Sequence, residues 1–191
     1  MRFWNGMGQM NEGKRPAVFL DRDGVLCEDM DYVTDFAKLH IFPFAREAVG
    51  RMHEKGYLVV VVTNQSGVAR GMMTEETVRQ INRYLMQKTG VDDVFYCPHL
   101  PPAEESSPPY RILCQCRKPK PGMILEAAER WSIDLSRSYM VGDRESDLQT
   151  GRNAGLESVG IVSLKNDFEN METMAVFEDI LMLAKKMPEA E

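Results

Sequence analysis

Residues 17–24 read Ala-Val-Phe-Leu-Asp-Arg-Asp-Gly, and this stretch decides the fold. Its four apolar residues predict a strand buried in a parallel sheet. Ligands of open α/β sheets bind in the crevice beyond the carboxyl ends of the strands, so Asp21 and Asp23 would emerge at the site. Two carboxylates this close repel each other unless a cation or a shared proton lies between them. The stretch therefore predicts bound Mg²⁺ and an aspartate available as a nucleophile toward phosphorus, with a plain Asp-Gly turn as the alternative.

The rest of the chain alternates between predicted strands and predicted helices. The strands are expected at residues 17–21, 57–63, 94–96, 138–141 and 158–162, and the helices at residues 43–55, 74–90, 121–131, 147–154 and 177–186. This alternation predicts an α/β fold with a doubly wound parallel sheet. Residues 1–15 are polar and rich in glycine and asparagine, which predicts a flexible N-terminal leader before a single domain over residues 16–191.

The composition is that of an ordinary globular protein, with 43% hydrophobic and 27% charged residues among 191. A formal net charge of −6 argues against a global basic field that would recruit nucleic acid or anionic lipid. The longest strongly apolar run, residues 57–62, is too short to span a bilayer. We therefore expect a cytoplasmic protein without a nucleic-acid or membrane partner. Short loops over the predicted site favour a small-molecule substrate and a monomer.

Four predicted loops carry the residue types that phosphoryl transfer requires. They contain Asp21 and Asp23; Thr63, Asn64, Gln65 and Ser66; the basic run 117–120; and the Gly-Asp segment 142–147. Phosphoryl transfer depends mainly on positioning and charge neutralisation. Hydroxyl and amide groups can bond the phosphoryl oxygens, a lysine can balance their charge, and a third carboxylate can complete a Mg²⁺ site. Singly, these segments also fit a strand end, a solvated basic turn and a simple turn, but their joint order indicates one site.

A second set of residues has the composition of a metal site. Cys97, His99, Cys114 and Cys116 supply three thiols and one imidazole, which is a complete tetrahedral set for a structural Zn²⁺. Such an ion would order the long segment 97–121, which is rich in proline and has no clear periodicity. The Cys-x-His and Cys-x-Cys spacings are tighter than those of a standard zinc finger. The alternative is three unligated cysteines in a loop.

Together these motifs resemble the haloacid dehalogenase (HAD) superfamily of phosphatases. The resemblance rests on Asp-x-Asp-Gly, a strand-end threonine, a lysine in a Lys-Pro context and Gly-Asp-x-x-x-Asp, in that order. It implies that Asp21 forms an aspartyl-phosphate and that Asp23 protonates the leaving group and then activates water. The remaining roles that it implies are phosphoryl contacts from Thr63 and Lys118, and a catalytic Mg²⁺ site at Asp21, the Asp23 carbonyl and Asp143, supported by Asp147.

The zinc-tied loop narrows the resemblance, which covers residues 17–162. A loop of this kind leading into Cys-x-Cys-Arg-Lys-Pro is similar to two groups of HAD phosphatases, which act on heptose 1,7-bisphosphate and on histidinol phosphate. The resemblance implies a HAD/Rossmann-like domain without a separate cap domain. The sequence around Asp143 resembles that of histidinol phosphatases as well, so histidinol phosphate stays open as the alternative substrate.

The segment 63–71 resembles the heptose group, which implies removal of the C7 phosphate, with the anomer left open. The substrate contacts expected from this segment come from Asn64, Gln65 and Ser66. A bisphosphate also needs a second anion-binding patch away from the metal. Arg70 and Arg117 are the candidates for that patch, because a guanidinium group grips phosphate in a bidentate manner.

Three other classes of function can be compared with a hydrolase on the same residues. A phospho-acceptor signalling module needs an acceptor aspartate but no general acid beside it, so Asp23 favours an enzyme. A phosphotransferase that passes the phosphoryl group to another acceptor stays open. A phosphatase acting on nucleic acid would be expected to carry a basic stripe, which this acidic chain does not show.

Overall fold

The computed structural model describes residues 13–102, 110–161 and 175–190. The strands in these ranges are β1 (Ala17–Leu20), β2 (Leu58–Asn64), β3 (Asp93–Cys97), β4 (Tyr139–Gly142), β5 (Glu157–Ile161) and β6 (Val176–Phe177). The α-helices are α1 (Ala45–Glu54), α2 (Glu75–Thr89), α3 (Gly122–Trp131), α4 (Glu145–Ala154) and α5 (Ile180–Lys186). The strands form one sheet in the order β3-β2-β1-β4-β5-β6, with every neighbouring pair parallel.

Strand β1 lies at the centre of this sheet. Val18 pairs with Val59 of β2 on one side and with Tyr139 of β4 on the other. The chain runs outward from β1 to β3 and then returns to add β4 on the opposite side. Because the strand order reverses between β1 and β4, the loops beyond these two strands open a crevice. The predicted doubly wound parallel sheet is confirmed.

Helices cover both faces of the sheet, which explains the uninterrupted apolar strands. Val18 and Val59 contribute to the core on the face covered by α1, α2 and α5. Phe19 and Val60 point to the opposite face and pack with Met123 of α3 and the carboxyl end of α4. No helix in the described ranges combines the length and apolar character needed to cross a membrane.

Both ends of α2 carry caps typical of helices. The Thr74 hydroxyl accepts a hydrogen bond from the Thr77 backbone N–H at 3.1 Å, and Gly90 ends the helix in the left-handed region at φ 85°. Pro121 precedes α3 as its N-cap, so this helix begins one residue after the predicted start at residue 121. Strand β6 and two short 3₁₀ helices were not predicted, because two or three residues are too few to show periodicity.

The packed part of the chain begins before the predicted boundary at residue 16. The Arg15 N–H donates to Ser132 O at 3.3 Å, and the Asp134 N–H donates to Arg15 O at 2.8 Å. Arg137 donates to the Lys14 carbonyl at 2.9 Å. Residues 1–12 of the predicted leader, and the last residue of the predicted strand 158–162, lie outside the described residues.

Candidate active site and metal centres

A cavity of about 390 Å³ opens beyond the carboxyl ends of β1 and β2, beside the start of α4. It lies at the switch point of the sheet, where the sequence predicted the site. The residues that line it are Asp21, Asp23, Asp29, Asp31, Tyr32, Thr63, Asn64, Gln65, Ser66, Gly67, Arg117, Lys118, Arg144, Ser146 and Asp147. The structure thus brings together all four residues predicted to be catalytic.

Lys118 lies at the centre of the site, and its side chain is only 2% exposed. Its Nζ contacts Asp21 Oδ1 at 2.8 Å and Asp147 Oδ1 at 2.6 Å, and donates to Val62 O at 2.9 Å. Asn64 holds the lysine backbone, since its Oδ1 accepts from Lys118 N at 3.1 Å and its Nδ2 donates to Lys118 O at 3.3 Å. Burial alone would lower the pKa of Lys118, but Asp147 and Asp21 raise it above the ordinary value. The ammonium group therefore stays charged beside the predicted nucleophile.

Three buried carboxylates surround this position. One oxygen from each of Asp21, Asp143 and Asp147 lies within 4.8 Å of the others. Burial raises the pKa of Asp21 to about 6, against the attraction of Lys118 and with a contribution from Asp147. Burial also raises the pKa of Asp147, to which the neighbouring Asp143 contributes. Three carboxylates beside one ammonium leave an excess of two negative charges. This charge, offered by hard oxygen ligands, fits Mg²⁺.

Two glycines allow the carboxylates to approach this closely. A Cβ on Gly24, which has φ 81°, would lie 2.1 Å from Asp143 Oδ2. A Cβ on Gly142 would lie 2.2 Å from the Cβ of Asp147. Both separations are far below van der Waals contact, so no other residue fits at these positions without moving an aspartate. Gly24 of the Asp-Gly motif and Gly142 of the Gly-Asp motif thus leave the space that the clustered carboxylates occupy.

Asp23 is not part of the carboxylate cluster and is held by Arg22, a residue to which the sequence assigned no role. Arg22 donates from Nε to Asp23 Oδ1 and from Nη2 to Asp23 Oδ2, both at 3.0 Å. The Gln65 Nε2 donates to Asp23 Oδ2 at 3.1 Å and to Thr63 Oγ1 at 2.9 Å. Its Oε1 accepts from Arg22 at 3.0 Å. Both amide hydrogens of Gln65 are directed at protein acceptors, Asp23 Oδ2 and Thr63 Oγ1, and the residue lines the cavity.

Ser66 and Arg117 line the cavity, as the sequence predicted. Arg117 Nη1 donates to the carbonyl of His99 at 3.1 Å, which fixes the guanidinium at the cavity wall. Asn64 also lines the cavity, but its amide is bonded to the backbone of Lys118. These contacts favour a positioning role for Asn64 over direct contact with a substrate.

Besides Arg117, the cavity is lined by Arg144, an arginine to which the sequence assigned no role. Arg70 is missing from the described residues that line the cavity, and its guanidinium lies 5.9 Å from the centroid of the Tyr32 ring. Arg144 lines the cavity instead, and its Nη2 pairs with Asp29 Oδ2 at 2.7 Å. The sequence contained the basic residue after Asp143, but only the direction of the α4 start shows that it borders the cavity.

The four predicted zinc ligands, hereafter the Cys/His cluster, come together at the end of β3. Cys97 Sγ lies 3.7 Å from Cys114 Sγ and 3.3 Å from Cys116 Sγ. His99 Nδ1 lies 3.6 Å from Cys97 Sγ and 3.3 Å from Cys116 Sγ. A tetrahedron with Zn–S bonds of about 2.3 Å has edges of about 3.8 Å, close to these separations. None of the cysteines forms a disulfide. The donor set therefore fits a structural Zn²⁺.

The Cys/His cluster adjoins both α3 and the cavity. The Gly122 N–H donates to Gln115 O at 3.0 Å, and a Cβ on Gly122 would lie 2.3 Å from the same oxygen. The start of α3 therefore packs directly against the loop of the cluster. Cys116 is followed at once by Arg117 and Lys118, so the cluster anchors the segment that carries both cations to the site.

The fold and the site define the class of HAD-like hydrolases. The profile of the HAD-hydrolase-like family matches residues 115–180. A HAD-like phosphatase from Mesorhizobium loti has a TM-score of 0.76 at 32% identity, covering 93% of this chain and 88% of that one. The D,D-heptose 1,7-bisphosphate phosphatase of B. bronchiseptica, complexed with magnesium and phosphate, has a TM-score of 0.73 at 32% identity, covering 90% of this chain and 97% of that one.

Curated relatives narrow this class further. The D-glycero-β-D-manno-heptose-1,7-bisphosphate 7-phosphatase of Rhodopseudomonas palustris is 42% identical over 75% of this chain and 81% of its own length. The enzyme of the same name from Vibrio cholerae is 42% identical over 74% of this chain and 78% of its own length. The chain belongs to the family of HAD phosphatases that contains these enzymes, and it is a phosphatase.

Proposed function

We propose that this phosphatase removes the C7 phosphate of D-glycero-β-D-manno-heptose 1,7-bisphosphate. The contact between Lys118 Nζ and Asp21 Oδ1 at 2.8 Å carries the chemical part of the proposal, because it places a buried cation beside a nucleophile for phosphorus. The substrate rests on the shared name of relatives that are 42% identical over about three quarters of the chain. That name also supplies the β anomer, which the sequence left open.

Asp21 and Asp23 divide the proposed chemistry. A carboxylate oxygen of Asp21 bonds to phosphorus as the bond to the C7 oxygen breaks, and Asp23 gives its proton to that oxygen. A water oxygen then bonds to phosphorus, its proton passes to Asp23, and the bond between Asp21 and phosphorus breaks. The covalent intermediate replaces one difficult displacement by two easier ones. Lys118 balances the charge of the phosphoryl oxygens, and Thr63 offers its hydroxyl to one of them.

The two metals have separate proposed roles. Asp21, Asp143 and the Asp23 carbonyl would hold Mg²⁺, which when bound neutralises phosphoryl charge. Asp147 would act indirectly, since one of its oxygens contacts Lys118 and the other accepts from the Arg144 N–H at 3.1 Å. Zn²⁺ at the Cys/His cluster would be structural, because four protein ligands leave no position for a substrate.

The second phosphate of the substrate needs its own cations. Arg117 and Arg144 both line the cavity, whereas the guanidinium of Arg70 lies 5.9 Å from the centroid of the Tyr32 ring. We assign the C1 phosphate to Arg117 first, since its guanidinium is tethered to a backbone carbonyl rather than to a carboxylate. Arg144 would have to leave Asp29 before it could bind an anion.

The setting of the enzyme is part of the same proposal. The net charge of −6 supports a small anionic substrate bound by local cations in preference to nucleic acid. We propose that the enzyme is a cytoplasmic monomer. Residues 16–191 form one domain without a separate cap domain, and Lys14 and Arg15 add contacts to it.

Phosphate release tests this function directly. Both anomers of heptose 1,7-bisphosphate and histidinol phosphate are compared with and without Mg²⁺, with Asp21→Asn as the blank. A strong preference for the β bisphosphate that requires Mg²⁺ and is lost in the variant supports the proposal. A preference for histidinol phosphate would replace the proposed substrate but would leave the proposed aspartyl-phosphate chemistry unchanged. Turnover that survives in the variant would refute the role of Asp21.

A further inference from the structure

We propose that Arg22, assisted by Gln65, is the positioning residue for the general acid and base Asp23. This inference rests on the proposed aspartyl-phosphate chemistry and adds to it a residue that never touches the substrate. Arg22 stands between the two catalytic aspartates in sequence and contacts both of them. Its backbone N–H donates to Asp21 Oδ1 at 2.7 Å, while its guanidinium bonds both oxygens of Asp23.

Arg22 is an arginine in the protein interior, with only 1% of its surface exposed. Arginine is almost never fully buried unless it is paired. This guanidinium forms an ion pair with Asp23, whose side chain is 23% exposed. Its other side-chain contacts are to neutral amides, Gln65 Oε1 at 3.0 Å and Asn82 Oδ1 at 3.5 Å. The buried charge is thus directed at one carboxylate at the edge of the cavity.

The contacts fix the orientation of the Asp23 carboxylate. A bidentate guanidinium holds a carboxylate in one plane, and the third donor, Gln65 Nε2, adds a bond at 3.1 Å from another loop. Gln65 also donates to Thr63 Oγ1, so the same amide links Asp23 to a proposed phosphoryl ligand. The thiol of Cys27 also lies 3.5 Å from Asp23 Oδ1. Asp23 is thereby kept apart from the three clustered carboxylates, in the wall of the cavity.

Correct placement of a general acid or base contributes strongly to rate. In the first step Asp23 transfers its proton to the leaving oxygen as the bond from that oxygen to phosphorus breaks. In the second step it receives a proton from the attacking water. A misplaced Asp23 slows the first step only when the leaving group needs a proton, but it slows the second step for every substrate. The identity of the leaving group therefore separates positioning from a general loss of structure.

The experiment compares a sugar phosphate, whose alkoxide needs a proton, with p-nitrophenyl phosphate, whose phenolate leaves without one. For Arg22→Met we expect kcat on the sugar phosphate to fall about 100-fold. The pre-steady-state burst of p-nitrophenol should keep its wild-type rate within about threefold and be followed by a slow steady state. KM for this substrate should fall together with kcat, because only the second step is slowed. Arg22→Lys, which restores one charged donor, should recover part of the loss.

Matched variants keep the result interpretable. Arg51→Met removes an exposed arginine that pairs with Glu47 on α1 and should change neither rate. If Arg22→Met fails to fold, as thermal melting would show, Gln65→Met carries the test and should show the same pattern with a loss of about tenfold. An equal loss in the burst rate and in sugar-phosphate turnover, or no loss in either, would overturn the positioning role. Absence of turnover in the wild type would instead overturn the proposed function.

Discussion

Replacing Asp21 by asparagine should stabilise the metal-free protein while abolishing its activity. The pKa of Asp21 is about 6 in the fold against an ordinary value of 3.8, so its ionised form is disfavoured by about 3 kcal/mol once folded. For a carboxyl whose pKa is raised by folding, this penalty is fully present above the folded value and disappears as the pH falls below the unfolded one. Asparagine carries no charge and avoids the penalty. Its advantage should be about 3 kcal/mol at pH 8 and roughly half of that at pH 5.

Urea denaturation of Asp21→Asn and the wild type at pH 5, 6.5 and 8 measures this difference. The proteins are freed of Mg²⁺ by dialysis without a chelator, so that the ion proposed for the Cys/His cluster is not removed from either protein. Adding Mg²⁺ should narrow the gap, because the ion stabilises the wild type more than a variant lacking one carboxylate. A variant that is no more stable than the wild type at pH 8, or a gap that does not shrink toward pH 5, would refute the charge balance derived for this site.

Three further predictions concern single features of the site. Gly142→Ala should destabilise the fold by about 1–3 kcal/mol and remove most activity, because its Cβ would displace Asp147. In melting and rate measurements the control Gly50→Ala, whose Cβ meets nothing within 4 Å, should be neutral or stabilising, and equal effects of the two changes would contradict the steric argument. Stripping zinc should lower the melting temperature and the activity together, both recovering on addition of Zn²⁺, whereas an unchanged melting temperature would exclude a structural ion. Arg117→Gln should raise KM for the bisphosphate about tenfold but hardly affect a monophosphate, and Arg70→Gln should change KM less than about twofold. If Arg70→Gln raised KM for the bisphosphate more than Arg117→Gln did, Arg70 would be the residue that binds the second phosphate.

The backbone placement of the site could be predicted because parallel strands end at a common edge. Asp21 follows β1 and Thr63 lies near the end of the neighbouring β2, so their proximity needed only the correct strand assignment. The Cys/His cluster was predictable for a different reason. Three thiols and an imidazole in an irregular segment have few packing roles, and their chemistry alone indicated a shared ion.

The contacts made by side chains were not predictable in the same way. Arg22 and Gln65 pair with Asp23 because of rotamers and loop directions that sequence spacing does not encode. Arg144 reaches the cavity instead of Arg70 because the start of α4 points into the crevice and the side chain of Arg70 lies over Tyr32. An arginine placed between the two predicted catalytic aspartates is the signal that would have drawn attention to Arg22.

The central position of β1 has a consequence for synthesis of the chain. The nucleophile loop is held on one side by β4, where Asp21 N donates to Val141 O at 2.9 Å. The first link across this pair, from Ala17 to Ser138, spans 121 residues. A ribosome adding about 5–20 residues per second needs roughly 6–24 s to cover that distance. During this interval one edge of the central strand stays unpaired and open to misassociation. A nascent chain therefore carries its Asp-x-Asp motif long before it has a phosphatase site.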